Sequence, residues 1–273
     1  MMYSSTRQTA RTWAAWLLLC LASACCNLGA QAGTVLERVQ ASGKLKVCIW
    51  PAYQGISWRD PRSGQLSGLD IDLARGLAAD LRLTLQFVDS SFPSLVQDLL
   101  NDRCDVAMFG IAMLRQRMEK LQFSTPYLQS DIYAISTRTS RVVRQWSDID
   151  QPGVLVGVQA GTFMEPVMQQ RLRYARLVSI ELPRTREREL HAGRVDVFMT
   201  DYPYGRTLID STDWALLLTP PEPFYPMPYA HASKPGDLQW QAVLNTFVAR
   251  IQQDGRLDTA ARRHGLLDIV VRK

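Results

Sequence analysis

The sequence predicts an α/β protein with two lobes, each built on a mainly parallel sheet flanked by helices. The chain has 273 residues, and at ~150 residues per domain this length suggests two domains or lobes. Apolar runs typical of buried strands, such as Leu45 to Trp50, alternate with segments like Ile71 to Leu81, whose apolar residues recur at helical spacing. A short pattern also occurs twice, because residues 103–108 and 194–199 share Arg, Asp, Val and Met at matching positions. The two copies fall where similar lobes would each place a strand.

The remaining elements follow in order along the chain. Further strands are predicted over Thr84 to Val88, Cys104 to Phe109 and Val154 to Val158, and further helices over Phe92 to Leu100 and Leu238 to about Asp254. The prolines between Pro220 and Pro228 disfavour a helix or a central strand. We therefore interpret this stretch as a return crossing between the lobes.

Composition excludes several classes of protein. Hydrophobic residues make up 47% of the chain and charged residues 21%, as in an ordinary globular protein rather than a disordered one. The net charge of +5 comes without a dense basic stripe, so we expect no nucleic-acid partner. One run of mixed charges is interpreted as a solvated helix face; it contains Arg184, Arg186, Glu187, Arg188 and Glu189.

The first 32 residues are interpreted as a signal peptide. A short basic region precedes an apolar run from Trp13 to Ala24, and Ala30-Gln31-Ala32 supplies small residues for a signal peptidase. The apolar run is shorter than the ~20 residues of a membrane-spanning helix. We expect release after Ala32 into the periplasm. Lipid anchoring at Cys25, which ends a loose lipoprotein box, remains the alternative.

Cysteine usage and missing motifs narrow the chemistry. Removal of the signal peptide leaves only Cys48 and Cys104, and an even count in an oxidising compartment predicts one disulfide. The chain has no Walker loop, no dinucleotide-binding glycine pattern and no nucleophile elbow. Its three histidines are far apart in sequence and no C-x-x-C occurs, so neither a cofactor nor a metal site is expected.

Four ordered motifs resemble one known family. They are Gly68-Leu69-Asp70-Ile71-Asp72-Leu73, the stretch from Asp105 to Tyr127, Gln159-Ala160-Gly161-Thr162, and the stretch from Val195 to Asp201. Together they resemble family 3 of the bacterial extracellular solute-binding proteins, the polar-amino-acid receptors of ABC importers. The resemblance runs from about Gly43 to Gly265 and implies a two-lobe periplasmic-binding-protein-like fold of type II. We expect residues 33–129 with 225–273 in lobe 1 and residues 130–224 in lobe 2.

The resemblance also implies a ligand site. Arg117 is placed where family members hold an amino acid's carboxylate, and its planar fork suits that task; Arg115 is the alternative. Backbone N–H groups near Gly161 and Thr162 are expected to assist at a helix start. Asp201 would meet the amino group, or would instead cap the helix that follows it.

Further residues are expected around the same cleft. Gly110 and Asp201 each lie two residues beyond the matched Met of the repeat, at the carboxyl ends of predicted strands where ligands of α/β sheets bind. Trp50 and Tyr53 are expected to cover the ligand's side chain. Ala112 stands where the family usually has a hydroxyl residue, which makes the predicted pocket more apolar.

These observations predict a monomeric periplasmic receptor that captures a small carboxylate-bearing solute, an amino acid or an aromatic relative, for the membrane subunits of an ABC importer. One alternative is a cyclohexadienyl dehydratase acting on prephenate or arogenate, because the segments Asp148 to Val154 and Arg103 to Arg117 resemble that subgroup. Its candidate general acid is Glu165, but this residue is offset by one position from the dehydratase pattern, a turn of ~100° on a helix. A second alternative is a non-transport partner protein of periplasmic quinoprotein alcohol oxidation.

Overall fold

The computed structural model describes residues 34–272. The predicted signal peptide, its cleavage point at Ala32 and the alternative lipidation site at Cys25 lie outside these residues. Among residues 34–272, none of the helices has the length and hydropathy of a membrane span.

Strands and short helices alternate through this part of the chain. The strands are β1 (Lys44–Ile49), β2 (Ala52–Tyr53), β3 (Ser57–Arg59), β4 (Leu66–Ser67), β5 (Thr84–Asp89), β6 (Val106–Ala112), β7 (Gln122–Phe123), β8 (Leu128–Ser130), β9 (Ile132–Thr137), β10 (Leu155–Gln159), β11 (Arg176–Ile180), β12 (Val197–Asp201), β13 (Ala215–Leu218) and β14 (Met227–Ser233). The α-helices are α1 (Val35–Ser42), α2 (Leu69–Leu81), α3 (Leu95–Leu100), α4 (Arg115–Met118), α5 (Met164–Arg171), α6 (Arg186–His191), α7 (Tyr202–Ser211), α8 (Leu238–Gln253) and α9 (Arg256–Arg263).

The strands form two large sheets and one small one. The first sheet has the order β5-β1-β6-β14-β7, with β8 also paired to β14; the second has the order β11-β10-β12-β9-β13. Each has a parallel core, β5-β1-β6 in the first and β11-β10-β12 in the second, and antiparallel strands complete both. Strands β2, β3 and β4 make the third sheet. The chain therefore builds most of the first sheet, crosses to the second between β8 and β9, and returns before β14.

The sequence repeat occupies the same position in both large sheets. The aspartate of each copy precedes the middle strand and accepts a hydrogen bond from the neighbouring parallel strand: Asp105 from Lys46 N–H and Asp196 from Leu155 N–H, both at 2.8 Å. The arginine of each copy pairs with an acid five residues earlier on the preceding helix. The two copies thus perform the same local task, which supports the interpretation of the pattern as a structural repeat.

Two expectations about surface and crossing segments are wrong in part. Arg186 is 3% exposed and Glu189 is 2% exposed, so the charged run on α6 does not form one solvated face. Pro228 lies inside β14, although the proline-rich stretch was expected to avoid a central strand. Proline is tolerated there because it is the second residue of the strand. Its carbonyl still accepts a hydrogen bond from Met113 N–H at 3.0 Å.

The predicted disulfide is present. It joins Cys48 in β1 to Cys104, two residues before β6 begins, with the two Cα atoms 5.6 Å apart. Both cysteines are buried. The bond therefore ties β1 to the segment that leads into β6, the strand beside it in the first sheet.

Candidate functional site

A small cavity lies between the two large sheets. It has a volume of about 10 Å³, room for a single water molecule at most. Strands β1, β6, β10 and β12 all end at or near it, which is where ligands bind in open α/β sheets. Its lining residues are Trp50, Tyr53, Phe92, Gly110, Ala112, Thr162, Phe163, Met164, Arg186, Asp201 and Tyr229.

Asp201 is the buried acid of this cavity. Its carboxylate accepts hydrogen bonds from the Tyr53 hydroxyl, from the Tyr229 hydroxyl at 2.5 Å, and from the Tyr204 backbone N–H at 3.3 Å. The last contact makes Asp201 the N-cap of α7. Asp201 therefore caps the helix and also lines the cavity. Burial raises the pKa of Asp201, while the hydrogen bonds from the two tyrosines act in the opposite direction.

The wall opposite Asp201 is aromatic and closely packed. Trp50 directly follows β1 and Tyr53 ends β2. Their ring centres are 5.6 Å apart, and both contact the ring of Phe92. Gly110 has φ of 63°, and a Cβ atom there would come within 2.9 Å of the Tyr53 ring. Glycine at this position is therefore what allows Tyr53 to reach Asp201 across the cavity.

Arg117 is a buried cation that connects the two sheets. Its Nη1 donates to the carbonyl of Ala112 at 3.1 Å, and its Nη2 donates to the carbonyl of Gly161 at 2.6 Å. The guanidinium carbon lies 5.3 Å from the centre of the Phe92 ring. Within the described residues no carboxylate forms an ion pair with it. Burial lowers the pKa of Arg117 to about 10, so the group stays charged at neutral pH.

Arg117 stands one layer behind the cavity rather than on its surface. Among the described residues, Arg117 is not one of those that line the cavity. It contacts Ala112 and Phe92, and both of these line it. Arg115, the alternative, is 93% exposed and pairs with Glu119 at the surface. Of the two arginines, only Arg117 contacts residues that line this cavity.

The helix start after β10 closes one end of the cleft. Gly161 has φ of 74°, and a Cβ atom there would lie 2.9 Å from the backbone nitrogen of Pro93, which follows β5 in the first sheet. The Gly161 N–H donates to the Glu165 carboxylate at 2.8 Å, and the Thr162 N–H donates to a backbone carbonyl. Both amides predicted to assist ligand binding are therefore hydrogen bonded within the protein in this closed arrangement.

Glu165 faces away from the cavity, toward a larger groove. Its carboxylate also accepts a hydrogen bond from the Ser179 hydroxyl at 2.5 Å. The groove has a volume of about 510 Å³ and is lined by Glu165, Glu181, Trp50 and Phe92 among others. Because Trp50 and Phe92 also line the small cavity, the two spaces share one aromatic wall.

Asp70 of the first motif supports the cavity from behind. It is fully buried on α2 and accepts hydrogen bonds from the Gly110 N–H and the Tyr127 hydroxyl, both at 2.7 Å. Burial raises the pKa of Asp70 to about 7. The first of the four motifs that carry the family resemblance thus fixes the backbone of β6 where it borders the cavity.

The structure brings most of the predicted site residues together. Trp50, Tyr53, Gly110, Ala112, Thr162 and Asp201 line the cavity, Gly161 lines the groove, and Arg117 lies behind the cavity. Sequence reasoning missed Arg186, Tyr229 and Phe92. Arg186 was hidden in a run of alternating charges, although Arg186, Glu189 and the apolar Leu190 share one helix face by their spacing. Tyr229 comes from the return strand, and nothing in its local sequence marks it.

Comparison with known proteins now identifies the family. The model of the bacterial extracellular solute-binding proteins, family 3, matches residues 45–266. The chain belongs to this family. Its two sheets form the two-lobe fold of type II periplasmic binding proteins, as predicted from the sequence.

Both binding proteins and an enzyme are among the relatives. A cyclohexadienyl dehydratase from Pseudomonas aeruginosa is 34% identical over 186 residues, which are 67% of this chain and 69% of that protein. The L-cystine-binding protein TcyJ of Escherichia coli is 25% identical over 229 residues, 84% of this chain and 85% of that protein. Among solved structures, an ancestral amino acid-binding protein described as a precursor of cyclohexadienyl dehydratase has a TM-score of 0.77 at 25% identity, covering 84% of this chain and 99% of that chain.

Proposed function

We propose that this family member is a periplasmic receptor that captures a small carboxylate-bearing solute between its two sheets and presents it to an ABC importer. The observation that carries the proposal is Arg117, a buried guanidinium without a carboxylate partner among the described residues, beside a cavity at the ends of four strands. A carboxylate is the group that best satisfies such a planar fork. Asp201 and its two tyrosines face the same cavity, where the amino group of an amino acid would lie.

Binding requires the two sheets to separate. The cavity of about 10 Å³ is far smaller than any amino acid. Opening would break the hydrogen bonds from Tyr53 and Tyr229 to Asp201 and the one from Arg117 to Gly161. A solute that replaces these contacts would stabilise the closed form, as in other hinged clamps. We propose residues 33–129 with 225–273 as lobe 1, residues 130–224 as lobe 2, and a monomeric receptor.

The cyclohexadienyl dehydratase alternative is favoured by the relative that is 34% identical. The position of Glu165 argues against it as the general acid of the cavity, because a general acid must lie within reach of its substrate. Glu165 binds Gly161 N–H and the Ser179 hydroxyl and lines the outer groove. Receptor function is therefore the better-supported proposal.

A ligand screen by thermal unfolding tests the proposal. The panel contains L-amino acids, 2-oxo acids and aromatic acids, each with its neutral amide as a control. At 100 times its Kd, a solute adds about 2.7 kcal/mol to the free energy of unfolding, which raises Tm by roughly 5–10 °C in a chain of this size. We expect at least one acid to do so and its amide to have no effect.

Two outcomes would contradict the proposal. If no acid raises Tm, small-carboxylate binding is refuted. If prephenate is converted to phenylpyruvate by the wild-type protein, the dehydratase alternative replaces the receptor.

A further inference from the structure

A second buried guanidinium, that of Arg186, shares the cavity lining with Asp201. Arg186 begins α6 and is 3% exposed. Its Nη1 donates at 3.1 Å to the carbonyl of Met199, which lies two residues before Asp201 on β12. Its guanidinium carbon lies 4.1 Å from the ring centre of Tyr204, and the Tyr204 backbone N–H donates to Asp201. Arg186 is therefore held by the same strand and helix that hold Asp201.

The charge of Arg186 offsets the charge of Asp201. Burial raises the pKa of Asp201, whereas the hydrogen bonds from its tyrosine partners and the positive charge of Arg186 act in the opposite direction. Helix α6, which carries Arg186, packs against β10 and β12 of the second sheet, and Asp201 ends β12. The two side chains would therefore stay together when the sheets separate. Asp201 has its positive partner inside the protein, so a solute need not supply one.

Arg117 carries the positive charge that remains. It donates to two backbone carbonyls, and among the described residues no carboxylate forms an ion pair with it. A buried cation without an opposite charge is unfavourable unless a ligand brings one. The other acids near the cavity bind backbone N–H groups or hydroxyls within the described chain; they are Asp70, Glu165 and Glu187. A solute with one negative charge and no positive charge would therefore balance this site.

An ammonium group would meet two obstacles beside Asp201. The hydroxyls of Tyr53 and Tyr229 both donate to the same carboxylate oxygen, Oδ2, and an ammonium bound to that oxygen would compete with them. It would also lie near the guanidinium of Arg186, which has a charge of the same sign. A solute without an amino group meets neither obstacle, because the tyrosine bonds to Asp201 can form again when the sheets close around it.

We propose that the solute is a monocarboxylic acid without an amino group, and that Arg186 determines this specificity by neutralising Asp201. This inference rests on the proposed receptor function and specifies its ligand class. Arg117 binds the single carboxylate, and the aromatic wall of Trp50, Tyr53 and Phe92 packs against the carbon skeleton. Arg186 acts through Asp201 and is a positioning residue.

Calorimetric titration of matched acids at pH 7 tests the inference. Each set shares one carbon skeleton and differs in the amino group: L-phenylalanine with phenylpyruvate and 3-phenylpropanoate, L-leucine with 4-methyl-2-oxopentanoate and 4-methylpentanoate, and L-alanine with pyruvate and propanoate. We expect at least one acid without an amino group to bind the wild-type protein tenfold or more tightly than its matched amino acid. A preference of less than tenfold in every set overturns the inference without recourse to any variant.

Variants then assign the preference to Arg186. Arg186→Gln keeps an N–H donor for the Met199 carbonyl but removes the charge that offsets Asp201, so we expect the affinity ratio to move at least tenfold toward the amino acid. Arg186→Lys keeps the charge and should retain the greater part of the preference, which separates the loss of charge from a general disturbance of the site. The control is Arg188→Gln, at an exposed arginine on the same helix, which should bind as the wild type does.

The inference and the proposed function fail in different ways. If the wild type binds an amino acid as tightly as its amine-free partners, the receptor stands and the inference is overturned. If the preference for an amine-free acid survives unchanged in Arg186→Gln, the role of Arg186 is overturned. If no acid of any set binds, the receptor function itself is refuted.

Discussion

Buried polar side chains concentrate at the cavity and in the layer behind it. Asp201 and Arg117 are both nearly inaccessible, and each is held by hydrogen bonds that cross from one sheet to the other. In the layer behind, Asp70 binds the backbone of Gly110 and the hydroxyl of Tyr127. These hydrogen bonds stabilise the closed arrangement of the cavity, and those that cross between the sheets must break before a solute can enter.

His231 predicts a pH dependence of stability. It is fully buried in β14, stacks on Tyr127 with ring centres 4.4 Å apart, and neither ring nitrogen has a hydrogen-bond partner within the described residues. Burial lowers the pKa of His231 to about 3, from 6.5 in the unfolded chain. Between pH 3 and pH 6.5, His231 binds a proton in the unfolded state but not in the native state. The stabilisation is therefore complete above pH 6.5 and is lost as pH falls toward 3.

Replacing His231→Phe should remove this dependence. Urea unfolding at pH 7 and pH 5 would measure it, since one group contributes up to about 1.4 kcal/mol per pH unit. We expect the wild type to lose up to about 2 kcal/mol more than the variant over this interval. Asp70, whose pKa is raised to about 7, affects stability in the opposite direction, because its contribution to the free energy of unfolding falls as pH rises. Asp70 is present in both proteins, so this effect is common to the two pH curves. If the free energy of unfolding changes equally with pH in the wild type and in His231→Phe, the prediction is contradicted.

At the level of elements, the disulfide fixes the first sheet. Cys48 and Cys104 are 56 residues apart in sequence and join β1 to the segment before β6. In the chain-entropy account, closing a loop of that length adds about 4 kcal/mol to the free energy of unfolding. We expect the Cys48→Ala/Cys104→Ala double variant to lose about 2–4 kcal/mol in urea unfolding. The wild type treated with a reductant should show a comparable loss, and an unchanged urea midpoint on reduction would contradict the account.

The elements also show what sequence could and could not predict. Strand–helix alternation predicted the parallel cores, and the repeat around Asp105 and Asp196 predicted that both sheets use the same strand in the same way. The antiparallel strands β9, β13 and β14 were not anticipated. Strands β9 and β14 come directly from a crossing between the sheets, with no helix before them to reveal the pairing. Pairing across a sheet is a tertiary property that local patterns do not encode.

The site residues also divide into those that the sequence predicted and those that only the structure revealed. Asp201 ends β12, Tyr53 ends β2 and Gly110 lies two residues before the end of β6, near the strand ends where general rules of α/β sheets place ligands. Arg186 was not predicted as a site residue, because a run of mixed charges normally indicates a solvated surface. Only its packing against Tyr204 shows that this side chain is turned inward. Resemblance to the family supplied Arg117, and its exact position one layer behind the cavity required the structure.

At the scale of the whole molecule, the two sheets meet through few polar contacts. Among the described residues, opening would break the bonds of Asp201 with Tyr53 and Tyr229 and that of Arg117 with Gly161. The Tyr202 hydroxyl also donates to Asp268 in the C-terminal segment at 3.2 Å. The chain passes between the sheets in two places, before β9 and before β14, and these two crossings are where we expect the hinge. Opening and closing around a solute then follow from the same few residues that bind it.

Binding of the identified acid to Arg117→Met tests the central claim most directly. The measurement is calorimetric titration into the wild type, Arg117→Met and Arg115→Met, with Tm recorded to establish that each variant is folded. Because a buried carboxylate would lose its charged partner, Arg117→Met should bind about 2–5 kcal/mol more weakly, whereas the exposed Arg115→Met should bind as the wild type does. Unchanged affinity in a folded Arg117→Met protein would contradict the account.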